Sequence, residues 1–163
     1  MLFRSLAASV QAVLTVLQEQ LTALEAEVAE VIRTTPALQA KATVLRQLPG
    51  VGPQTAHTLL AFLPELGTLT RRAAASLAGC APHPRDSGVH RGYRRTLGGR
   101  AVVKRALFMA AMTARRRHPE LQAFYERLCR QGKPRMVALT ALMRKLIVIL
   151  NAKLRDAAKT TTW

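Results

Sequence analysis

Leu48-Pro49-Gly50-Val51-Gly52-Pro53-Gln54-Thr55-Ala56-His57-Thr58-Leu59-Leu60 is the stretch whose reading decides the fold. It places an apolar residue, Pro-Gly, an apolar residue and a second Gly between two helical segments, about 37–47 before it and the run from Pro53 after it. Pro53 suits a first helical turn, where its missing N–H costs nothing. Gly50 and Gly52 are expected to take backbone angles closed to other residues. Ala56 is small enough for two helices to approach closely. The pattern fits a helix-hairpin-helix over about residues 37–64, whose second helix presents unpaired amides to a phosphate. An ordinary interhelical turn is the plainer reading. In the phosphate reading Gly50, Val51 and Gly52 supply backbone contacts, which hold DNA without reading its sequence.

Outward from this turn the chain reads as all-α. It has 163 residues, 49% of them hydrophobic but only 4% aromatic, so the core must be built from Leu, Ala and Val. Ala and Leu favour helix, and β-branched or aromatic runs are scarce. On the N-terminal side, Phe3, Ala7, Val10, Leu14, Leu17, Leu21, Leu24, Val28 and Val31 recur at alternating steps of four and three. That is an a/d heptad seam, and it predicts one long coiled-coil-like helix over residues 1–35. The seam needs a cover, either a second copy through residues 3–31 or the rest of the chain. On the C-terminal side a compact multi-helix domain is expected over 37–156, then a tail at 157–163. Thr70 reads as an N-cap for a helix over Arg71–Cys80. Pro82 and Pro84 break that helix, and a loop or short hairpin follows to Gly99. Helices resume at about Arg100–Arg117, Glu120–Arg130 and Pro134–Arg155.

Charge is placed unevenly. The net charge is +16. Residues 1–40 hold two basic and four acidic side chains, a net of −2, which leaves +18 on the remainder. Ten Lys/Arg and one acid fall between Arg85 and Arg117. Such a cluster repels itself unless a polyanion neutralises it, and nucleic acid is the polyanion whose regular phosphates pair with many guanidinium groups at once. Arg85, Arg91, Arg94, Arg95, Arg100 and Lys104 are the candidate phosphate contacts. Cys80 and Cys129 have no CxxC spacing and read as small buried residues of a reducing compartment. Arg144-Lys145 splits the apolar stretch 137–150, so no membrane span is expected, and a cytoplasmic location follows. The acids Glu65, Asp86, Glu120, Glu126 and Asp156 are scattered, which argues against a metal-dependent nuclease in this chain.

One hydroxyl sits inside the basic cluster, Ser87, flanked by Gly88. A loop Ser beside Gly is ordinarily a turn residue. As a nucleophile it would need a base, His83 or His90, and arginine forks to stabilise a phosphoryl group.

The run from Leu48 to Arg155 resembles the C-terminal domain of the IS110 family of insertion-sequence transposases, also called IS116/IS902. The resemblance rests on Leu48-Pro49-Gly50-Val51-Gly52, Leu77-Ala78-Gly79-Cys80-Ala81-Pro82, Asp86-Ser87-Gly88, Gly98-Gly99-Arg100, and Gly132-Lys133-Pro134 leading to Arg144-Lys145-Leu146 and Leu150-Asn151. It implies a DNA recombinase directed by a structured RNA of guide type, with Ser87 as the nucleophile that joins DNA covalently. It also implies a partner, a RuvC-like domain with a DEDD carboxylate site. That domain is not in this sequence, and it is where any divalent metal is expected. No cofactor is expected in this chain. The long first helix is similar to the family's connecting coiled coil. The alternative reading from the residues is a non-catalytic helix-hairpin-helix module that only binds nucleic acid.

Overall fold

A computed structural model describes residues 2–84, 87–89, 92 and 94–160, the first four of these by backbone alone. The chain divides into two units, residues 1–39 and 40–163.

The first unit is dominated by helix α1, Leu2–Thr34. Nothing in its sequence breaks a helix before Pro36. Its seam is bare: Leu14, Leu17, Leu21, Leu24 and Val28 all lie between 46% and 59% exposed. Val13 and Val16 widen the apolar stripe and are equally open. At its C-terminal end Arg33 donates two bonds to Glu30, 2.8 and 2.6 Å long, one turn away. Both partners are mostly exposed, so solvent screens this pair and it adds little. Helix α2, Pro36–Arg46, starts in this unit and ends in the next.

The second unit holds the core. Helices α3 (Pro53–Phe62), α6 (Pro119–Arg130) and α7 (Arg135–Thr160) pack against α5 (Ala101–Arg117), and α4 (Arg71–Leu77) packs on α7. Helix α5 is the hub because its inward positions are short: Ala110, Ala111 and Ala114 are buried beside Val103 and Leu107. Small residues bring neighbouring backbones close, and leucines on the partners fill what remains. Leu59, Leu63, Leu142, Leu146 and Leu150 are all fully buried. Each such leucine contributes about 1.5–3 kcal/mol over an exposed one.

Among the described residues, one polar side chain enters this core. Asn151 on α7 accepts from the Gly67 amide at 2.8 Å and donates to the Leu69 carbonyl at 2.7 Å. It thus pins the α3–α4 connection to α7. Losing it would leave two backbone groups unpaired, at about 1–3 kcal/mol each.

Two element ends differ from the sequence expectation. Helix α4 stops at Leu77 and not at Cys80, because Gly79 takes φ +65° and turns the chain away. Helix α7 continues through Arg155 to Thr160, so most of the expected tail is helical. The small sheet is a two-stranded antiparallel ladder of β1 (Pro82–His83) and β2 (Arg95–Thr96). No helix among the described residues is long and apolar enough to cross a membrane.

Candidate nucleic-acid interface

The α2–α3 turn is built against α5. Gly50 has φ +101°, a conformation that L side chains avoid. A Cβ on Gly50 would lie 2.7 Å from the Ala110 carbonyl oxygen and 2.8 Å from Ala114 Cβ. Only glycine fits, for two independent reasons. Gly52 is different. Its φ is −84°, open to any residue, and a Cβ there would meet nothing within 4 Å. The expectation that both glycines serve backbone geometry therefore holds for Gly50 alone. Gly52 is the N-cap of α3, with Pro53 in the first turn.

Val51 also departs from expectation. Its side chain is buried, and its amide donates to the Leu48 carbonyl at 3.0 Å inside the turn. That N–H is already spent, so a phosphate would be met by the start of α3 instead. Gly50, Val51, Gly52 and Thr55 form one wall of a groove of about 340 Å³, and Met109, Thr113 and Arg117 of α5 form the other. Arg117 was not singled out from the sequence. It ends a run of three arginines that reads equally well as charge complementing a helix C-terminus. The structure brings it to the same groove as the turn. On α3 itself, burial and then the charge of Arg46 push the His57 pKa below its ordinary value, which favours the neutral ring.

The second region is the loop carrying Ser87. Its root is closed by glycine backbones. A Cβ on Gly99 would run into Gly79 and come within 2.8 Å of the Leu77 carbonyl oxygen. The Arg100 amide donates to that same carbonyl at 2.7 Å. Two of the short motifs in the sequence, Leu77-Ala78-Gly79 and Gly98-Gly99-Arg100, thus exist to touch each other. The β1–β2 ladder then pairs Pro82 with Thr96 and His83 with Arg95. Directly opposed residues lie about 4.5–5.5 Å apart at Cβ. A candidate base and a candidate clamp are therefore neighbours. Ser87, Gly88 and Val89 are exposed within the intervening loop. Arg85, Arg91 and His90, named above as candidates, lie outside the described residues, as does Asp86.

Arg94 and Arg95 are exposed. Together with Arg144 of α7 they line a cleft of about 440 Å³ between the ladder and the first turns of α7. Cys80 lies at the cleft; burial pushes its thiol up to about 11, against the opposing pull of Lys104 and Arg144. Lys104 packs its stem near Gly79, at the root of the loop.

Arg100 has a different primary contact from the one expected. Its guanidinium donates to both oxygens of Glu65, at 2.8 and 2.6 Å, and to the Phe62 carbonyl at 2.8 Å. This fork ties the start of α5 to the end of α3. The paired guanidinium holds the Glu65 carboxyl at about 2, well below its ordinary 4.5. Glu65 and a phosphate would thus compete for this guanidinium, whose contact in the structure is the tie to α3.

Residues 42–126 match the family described as "Transposase IS116/IS110/IS902 family", over half of the chain. The chain belongs to this transposase family. It is 37% identical over 147 residues to the 43.6 kDa protein of insertion element IS110 from Streptomyces coelicolor, covering 88% of this chain and 35% of that protein. It is 32% identical over 142 residues to the pilin gene-inverting protein of Moraxella bovis, covering 85% of this chain and 44% of that one. The chain thus spans less than half the length of these relatives. Among the described residues of this family member, no three His, Cys, Asp or Glu side chains come together. Glu65 is held by Arg100. The described residues offer no ligand set for a divalent metal.

Proposed function

We propose that this chain is the DNA-binding and nucleophile-bearing part of an insertion-sequence transposase. In this reading it acts on cytoplasmic DNA with a RuvC-like DEDD domain and a guide-type RNA as partners. The observation that carries it is the exposed Ser87 in a loop rooted between Gly79 and Gly99, whose closing strand begins at Arg95, in a chain of this family.

The chemistry assigned to these residues is phosphoryl transfer. Ser87 Oγ attacks a DNA phosphorus; an Oγ–P bond forms, and the bond from phosphorus to the leaving sugar oxygen breaks. The Ser87 proton passes to a base, for which His83 is the described candidate, and the leaving oxygen gains a proton in turn. Arg94 and Arg95 stabilise charge on the non-bridging oxygens. The turn at Gly50–Gly52, with Arg117, holds a backbone phosphate in the manner of a helix-hairpin-helix. The seam of α1 pairs with a second copy as a coiled coil.

The test is a covalent-adduct assay with the DEDD domain supplied. Ser87→Ala should keep duplex affinity and lose every protein–DNA adduct. An adduct that survives the substitution removes Ser87 from the role. The groove beside Gly52 favours a second reading, a purely binding module, which forms no adduct in either version.

A further inference from the structure

We propose that the cleft between the β1–β2 ladder and the first turns of α7 receives one unpaired nucleobase of the bound DNA. This rests on the nucleic-acid reading above and adds a ligand to it.

The cleft encloses about 440 Å³. That lies within the range of about 300–1,000 Å³ typical of sites for small organic ligands. Its body is apolar. Leu97 and Met136 on its walls are 52% and 62% exposed, an open apolar surface. Cys80 stays a neutral thiol and adds no charge there. Successive turns of α7 supply Met136, Thr140 and Arg144 at steps of four, which places them on one face.

Among the described residues the charge at this apolar site is of one sign: Arg94, Arg95 and Arg144 line it, and no carboxylate does. An occupant must therefore offer a flat apolar body joined to an anionic chain, which is the chemistry of a nucleotide. Guanidinium planes stack on bases, and Thr96 and Thr140 bring hydroxyls that can donate to or accept from a base edge. Position agrees with chemistry. Arg95 closes the loop that carries Ser87 and also lines the cleft, so the proposed nucleophile and the cleft share one element. Strand exchange unpairs bases, and an extruded base needs such a receptacle.

The test uses the full chain and three duplexes that differ at one position: a bulged 2-aminopurine, an abasic bulge, and full pairing. The bulged base should bind about tenfold tighter than the abasic bulge, the effect of one well-held base. Its fluorescence should change on binding. Ala141→Phe fills the cleft and should abolish both effects while paired-duplex affinity stays within about twofold. Met136→Ala, at an exposed position that cannot unfold the core, should weaken the preference. Equal affinity for the base and abasic bulges overturns the proposal, as does a preference that survives both variants. If Ala141→Phe instead impairs only capture of the DEDD domain, the cleft docks protein and the proposal fails. Binding to none of the three duplexes overturns the nucleic-acid reading itself.

Discussion

Gly50 rests directly on Ala114: a Cβ at Gly50 would lie 2.8 Å from both the Cβ and the amide nitrogen of Ala114. The turn is therefore packed hard against α5, and its two glycines do separate jobs. Gly50→Ala forces an L residue to φ +101° and pushes on the α5 backbone. Left-handed strain costs about 1–2 kcal/mol and overpacking about 1–3. The expected loss is about 3 kcal/mol, a fall in Tm of about 6–12 °C. Gly52→Ala meets open space at φ −84° and should cost under about 1 kcal/mol. Its new methyl stands where a phosphate would approach the start of α3, so duplex affinity should fall. Thermal melts and binding isotherms on both variants separate the roles. Unchanged affinity in Gly52→Ala would remove the turn from the interface.

The Arg100–Glu65 fork makes a pH prediction. Glu65 titrates at about 2 when folded and near 4.5 otherwise. Its folded pKa is depressed, so its contribution is fully present above about 4.5 and is lost as pH falls from there toward about 2. Urea melts between pH 6 and about pH 3 should show stability declining in this window. Glu65→Gln should flatten that limb and lower stability at neutral pH. The side chains are 38% and 40% exposed, so raised salt should shrink the difference between the two proteins. An identical acid limb in Glu65→Gln would show that the fork contributes nothing.

Much of this architecture can be read from the sequence because it is local. The heptad spacing from Val10 to Val31 and the alanine-leucine runs after Ala101 fix helices by periodicity alone. Pro53 and Thr70 mark helix starts through backbone chemistry, and Thr70 Oγ1 does accept from the Ala73 amide. What stayed hidden was long-range. Gly79 reads as part of a helix and Gly99 as the end of a loop until their backbones meet. Arg100 looks like one more cation in a basic cluster until Glu65, thirty-five positions earlier, closes on it. Arg117 and Arg144 lie in the two clefts only because α5 and α7 bring them there. Charge composition gives the class of ligand; which arginines are available for it is decided by tertiary contacts.

The seam of α1 gives the last prediction. Leu17, Leu21 and Leu24 are each close to 60% exposed, on a helix of 33 residues that is about 50 Å long. Under the proposed coiled coil, a second copy of this chain would supply the helix and heptads that cover so long an apolar stripe. The charges beside the seam, Glu25 and Glu27, are both acidic, so a symmetric pair brings like charges together. Screening relieves that repulsion, so self-association should tighten as salt rises. DNA binding should move the opposite way, because released counterions oppose it at high salt. Sedimentation of the full chain across a salt series should show a dimer that grows with salt. A version lacking residues 1–34 should stay monomeric throughout and keep its duplex affinity. A monomer in both proteins at every salt concentration rules out pairing through α1, and a dimer in both places the contact on the helical body instead.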